Sequence, residues 1–166
     1  MDYADFDLAE AEAGDCAAVI HHLQTVSHGR LRRQAVVAVI EDGVRISQEF
    51  ETICEFLDIT VERVPGHADL DAILSHRTPM AVICEMDGGR QDGCHVMKTV
   101  AGHDRSLPIM LLTGDEPALV GAAEAVEELW RLSEVTKLRS LPSIAGLVDF
   151  LFSAGRKGKC MRPLTV

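Results

Sequence analysis

Short apolar runs alternate along this chain with segments of helical periodicity, and that alternation leaves few folds open. Ala35–Ile40 (AVVAVI) has no polar residue and is rich in β-branched side chains, as a strand buried on both faces should be. Residues 80–84 (MAVIC) and 108–112 (PIMLL) read the same way. Ile59–Val64 is a further strand, ended by Pro65-Gly66. Between these runs, Ile46, Phe50, Ile53, Cys54 and Leu57 recur at helical spacing, and Leu70, Ile73 and Leu74 mark a short helix. Val96, Met97 and Val100 mark a third helix, and residues 118–129 form an Ala- and Glu-rich fourth. Pro142 can open a last helix, with Ile144, Leu147, Val148 and Leu151 facing inward. A fifth strand is expected within residues 129–136, where the pattern is weakest.

Strands alternating with helices imply a parallel sheet with helices on both faces, here a doubly wound five-stranded α/β domain. Right-handed crossovers prune the possible topologies further. In such sheets the functional site lies beyond the carboxyl ends of the strands. That rule selects Glu41 and Asp42 after strand one, Glu85 after strand three, Thr113 after strand four and Lys137 near strand five.

Two segments fall outside this unit. Residues 1–34 form an extension with one expected helix, about residues 15–27, apolar at Ala18, Val19, Leu23 and Val26. Residues 155–166 (GRKGKCMRPLTV) read as a loose basic tail, leaving residues 35–154 as the domain. A formal net charge of −10 argues against a nucleic-acid binder and against docking on anionic lipid. No apolar run approaches the roughly 20 residues needed to cross a bilayer, and the acidic N-terminus lacks the basic-then-apolar order of a signal peptide. The five cysteines have no CxxC spacing and read as reduced thiols of a cytoplasmic protein.

Carboxylates gathered at strand ends repel one another, so such a cluster normally holds a hard cation such as Mg²⁺. An ammonium and a hydroxyl facing them suit the oxygens of a phosphoryl group. This set, in this order, resembles the receiver (CheY-like) domain of two-component response regulators, whose fold is flavodoxin-like. VIEDG matches the family's acid pair as Glu41 and Asp42, and PMAVICEMDGGRQDG matches the stretch carrying the phosphoacceptor. Counting from Pro79, or back from Asp92-Gly93, places the acceptor position at Glu85, with Asp87 two residues on. LLTG supplies the switch hydroxyl as Thr113, and VTK the phosphate-binding lysine as Lys137. Each residue also has a plainer reading. Glu41 and Asp42 can be a polar turn, Thr113 a helix cap, and Lys137 a salt-bridged surface residue.

The sequence departs from the family pattern in ways that bear on function. Glutamate stands where the family has aspartate, Leu138 follows the lysine where a proline is usual, and Glu134 occupies the place of the switch aromatic, with Trp130 the nearest aromatic. Thr113 and Lys137 are also slightly farther apart than is usual. The extra methylene of Glu85 displaces its oxygens by on the order of 1 Å, enough to cost ~10²-fold in rate. The resemblance therefore implies an atypical stand-alone receiver, a protein–protein signalling module rather than an enzyme, holding Mg²⁺ weakly. In it Glu85, paired with Lys137 and Thr113, would partly mimic phosphorylation and hold one state. Its partner, a histidine kinase or downstream effector, would read the face of helix four, strand five and helix five, or the N-terminal helix. Two other readings stand beside it: a phosphorylatable receiver using Asp87 or Glu85, and a small flavodoxin-like cofactor binder. The acidic residues after strand one disfavour the last, because a phosphate-bearing cofactor wants backbone N–H groups there.

Overall fold

The computed structural model describes residues 35–40, 48–65, 67–89 and 92–160. Their elements run β1 (Ala35–Ile40), α1 (Gln48–Phe56), β2 (Ile59–Val64), α2 (His67–His76), β3 (Ala81–Glu85), α3 (Gly93–His103), β4 (Ile109–Leu112), α4 (Pro117–Trp130), β5 (Val135–Leu138) and α5 (Ile144–Lys157). The five strands form one parallel sheet in the order β2-β1-β3-β4-β5. Parallel neighbours cannot be joined by a tight hairpin, which is why a helix follows each of the first four strands. The order reverses at β1, where the chain passes first to β2 and then back across to β3.

Burial follows the sequence pattern closely. All six residues of β1 are buried, because the strand is central in the sheet and covered on both sides. Val37 and Val39 join Phe50, Ile53 and Cys54 of α1 and Leu147, Leu151 and Ala154 of α5 in one core. Ala38 and Ile40 point the other way, into a second core with Leu70 and Leu74 of α2, Val96, Met97 and Val100 of α3, and Ala123 of α4. The period-two alternation of β1 thus feeds two helical layers, the doubly wound arrangement expected from the sequence.

Two boundaries differ from expectation. The fifth strand occupies Val135–Leu138 and only its first half lies inside the expected window, since α4 runs to Trp130 and a turn at Arg131 (φ 55°) intervenes. Residue 155 does not begin a loose tail. The last helix continues to Lys157 with Gly155 buried inside it, and Cys160 packs into the first core at 1% exposure. Gly155 is carried within the helix because its neighbours Leu151 and Ala154 bury that face against the first core. Basic Arg156 and Lys157 in the last turn complement the negative end of the helix dipole. The N-terminal helix expected at residues 15–27 lies outside the described residues, as do Glu41 and Asp42. Among the described residues, no helix is long and apolar enough to cross a membrane.

Candidate functional site

Beyond the carboxyl ends of β3, β4 and β5 lies an open cleft of about 550 Å³. It is lined by Glu85 and Asp87 after β3, by Thr113, Asp115 and Glu116 after β4, and by Arg139 after β5. The sheet topology alone brings these residues together, since none is near the next group in sequence.

Glu85 closes β3, where it sits opposite Leu112 of β4. Its position is held from behind by the start of α3. The chain loops out after Met86 and returns at Gly93, whose N–H donates to the Met86 carbonyl at 2.9 Å. Asp92 caps the helix by accepting from the His95 N–H at 2.8 Å, an extended residue with a short carboxylate doing what that position favours. The approach is so close that only glycine fits. A Cβ on Gly93 would stand 2.8 Å from the Met86 Cα and 3.0 Å from the Glu85 carbonyl oxygen. The Asp92-Gly93 pair that marks the position in sequence is therefore a packing requirement of the loop that carries Glu85. Glu85 is half-buried, and its carboxylate has no hydrogen-bond or ion-pair partner among the described residues.

Thr113 is the only buried polar residue of the described core, at 3% exposure. Its N–H donates to the Leu138 carbonyl at 2.7 Å, extending the β4–β5 ladder by one bond. Its hydroxyl lies 3.3 Å from the carbonyl oxygens of both Gly114 and Leu138. The single hydroxyl proton is thus directed to backbone, and no bond from it to Glu85 is present among the described residues. Gly114 follows at φ 66°, the left-handed conformation that glycine adopts without steric cost and that turns the chain out of β4.

Lys137 lines no part of the cleft. It is opposite Leu111 within the sheet and its ammonium is ion-paired with Glu127 of α4, both side chains 27% exposed. The salt-bridged reading of this lysine is the one its surroundings match. The cationic residue that does line the cleft is Arg139, two residues later. The N–H of Gly114 donates to the Arg139 carbonyl at 3.2 Å, which sets Arg139 beside the Thr113–Gly114 end of β4. Its guanidinium is 3.6 Å from the Asp115 carboxylate, with both side chains 86% exposed. The sequence reading missed Arg139 because VTK offered a lysine of the expected type.

Cys84, next to Glu85, is fully buried, and burial together with the Glu85 charge pushes its thiol up to about 12. It remains protonated and has no part in the chemistry of the cleft. Among the described residues, no group of three or more His, Cys, Asp or Glu side chains is placed to hold a metal. Glu85 and Asp87 give the cleft two carboxylates after β3, and the remaining candidate ligands, Glu41 and Asp42, are outside the described residues.

No protein-family profile matches the chain, and no curated protein matches it significantly. Solved structures do. A response-regulator receiver domain from Clostridium thermocellum superposes with a TM-score of 0.59 at 20% identity, covering 75% of this chain and 97% of its own. The beryllofluoride-activated receiver domain of NtrC gives a TM-score of 0.55 at 18% identity, over 75% of this chain and 97% of that one. A response regulator from Chloroflexus aurantiacus J-10-fl gives 0.53 at 15% identity, over 76% and 98%. At these identities the likeness speaks for architecture, and the strand order and the position of the cleft agree with it. The chain has the fold of response-regulator receiver domains.

Proposed function

We propose that this protein is an atypical receiver, a protein–protein signalling module of a two-component pathway in which Glu85 stands at the acceptor position and ordinary phosphotransfer does not occur. One observation carries the reading: Glu85, fixed at the end of β3 by the glycine contact at residue 93, shares a cleft with Thr113 at the end of β4. Acyl-phosphate formation requires carboxylate, metal and donor phosphorus in line, and a carboxylate carried one methylene too far loses that alignment. The balance of charge points the same way. Four carboxylates and a single guanidinium line the described cleft, and that guanidinium already faces Asp115. An incoming phosphoryl group, with about 1.5–2 negative charges, meets repulsion there.

On this reading the protein signals through its surfaces rather than by catalysis. The partner, a histidine kinase or an effector, is recognised on the face of α4, β5 and α5 or on the N-terminal segment. Free cysteines at residues 54, 84, 94 and 160 suit a reducing cytoplasm. A divalent cation, if held, is held by Glu41, Asp42, Glu85 and Asp87, where it would offset carboxylate repulsion. Mg²⁺ demands near-octahedral geometry, so affinity is expected at about 10⁻³ M or weaker. The test is intact mass after incubation with Mg²⁺ and acetyl phosphate or phosphoramidate. No change is expected. A stoichiometric gain of one phosphoryl group mapped to Glu85 or Asp87 would instead establish a phosphorylatable receiver.

A further inference from the structure

We infer that Arg139 is the charge-balancing residue of the cleft, exchanging between Asp115 and Glu85, and that Lys137 is a structural tether with no part in the site. The inference rests on the reading of Glu85 above and gives its charge a specific counterpart.

The register of the sheet makes the first argument. Leu112 is opposite Leu138, and the next two bonds run from Thr113 to Leu138 and from Gly114 to Arg139. Residue 139 is therefore the one that emerges from β5 level with the residues that emerge from β4, whereas residue 137 is still inside the strand. The second argument is the partner of each cation. Lys137 and Glu127 are half-buried together, so withdrawing the lysine would leave a poorly solvated carboxylate on α4. Arg139 carries no such commitment. Its contact with Asp115 at 3.6 Å is longer than the ~2.7–2.9 Å of a charge-assisted hydrogen bond, and both groups are largely in water. The third argument is the cleft itself. Glu85 is half-buried, lines the same cavity as Arg139 and lacks a partner among the described residues. An arginine fork with a weak hold on one carboxylate, and across a shared cavity a less solvated carboxylate without a partner among the described residues, constitute a two-position element. Arg139 follows β5 and Asp115 precedes α4, so the guanidinium sits next to the ends of both elements.

The experiment is a double-mutant cycle on the full chain with Glu85→Gln and Arg139→Ala, read by urea unfolding and by amide exchange over residues 112–116 and 138–141. A coupling of about two- to fivefold in the unfolding equilibrium is expected, the range of a partly exposed ion pair. Arg139→Ala should accelerate exchange in both segments, and should do so less in the Glu85→Gln background. Arg139→Lys should retain the coupling in part, which a purely steric role would not allow. Asp115→Asn removes the competitor and should enlarge it. Additive effects of Glu85→Gln and Arg139→Ala would overturn the inference, as would coupling of Glu85 to Lys137 instead. Failure here is distinct from failure of the functional reading, which is decided by phosphodonor labelling alone.

Discussion

Replacing Gly93 by alanine tests how Glu85 is held in place. The added methyl would meet the Met86 Cα at 2.8 Å, the Leu111 Cδ1 at 2.9 Å and the Glu85 carbonyl oxygen at 3.0 Å. Two of the three belong to the backbone of the segment leaving β3, which is hydrogen-bonded to β4 through the Met86 N–H and Leu112 carbonyl and cannot rotate aside. Overpacking of this kind costs about 1–3 kcal/mol, and rigid backbone neighbours put it in the upper half of that range. Alanine returns up to ~1 kcal/mol through its helix propensity, less at a first-turn position than in the interior. A net loss of about 1–2 kcal/mol is expected, a fall in Tm of roughly 4–10 °C for a domain of this size. Urea denaturation with unchanged slope measures it. Gly102 on the same helix is the control, since a Cβ there meets nothing within 4 Å. Gly102→Ala should be stabilising by up to ~1 kcal/mol. If Gly93→Ala is equally neutral or stabilising, the loop does not press on the glycine and the account of how Glu85 is positioned fails.

Further outcomes follow from the same structure. Burial pushes the thiols of Cys54 and Cys84 up to about 12 from an ordinary 9.0, with Glu51 and Glu85 adding to the respective shifts. The unfolded chain loses these protons first as pH rises, so the stability they contribute is complete below pH 9.0 and declines between 9.0 and about 12, which urea midpoints across that range will show. Both thiols should resist iodoacetamide at pH 8 in the folded protein and react once it is unfolded. Lys137→Ala and Glu127→Ala should each lower stability by about 0.5–1 kcal/mol, with the double variant little worse than either, by urea denaturation. Titration calorimetry with Mg²⁺ should give no micromolar binding; a micromolar site abolished by Asp42→Ala would show a better-formed metal centre than proposed.

β1, β3 and β4 were legible because central strands of a parallel sheet are covered on both faces and become unbroken apolar runs, whereas β2, an edge strand carrying Glu62 and Arg63, was marked off by the Pro65-Gly66 that ends it. β5 was less so: it is an edge strand with Thr136 exposed and Val135, Lys137 and Leu138 only partly buried, so selection for apolar side chains is weak. The continuation of α5 through Gly155 was hidden because whether a glycine breaks a helix depends on what packs against it. The carboxyl-end rule picked out Glu85 and Thr113, and both line one cleft. It could not choose between Lys137 and Arg139, because that choice depends on inter-strand register, and a lysine in a familiar triplet carries no record of which residue of β4 it faces. The pairing of Lys137 with Glu127 is likewise a matter of helix placement, ten residues away along the chain.

The most direct measurement is phosphodonor labelling of Glu85→Asp. Shortening the side chain by one methylene returns the carboxylate to the reach that in-line transfer requires, while the glycine contact at residue 93 and the rest of the cleft are untouched. Incubated with Mg²⁺ and phosphoramidate, the variant should slowly gain one phosphoryl group, mapped to residue 85 by peptide mass, while the wild-type protein gains none. A variant that stays unlabelled, or that is labelled at Asp87, would contradict the assignment of residue 85 as the acceptor position.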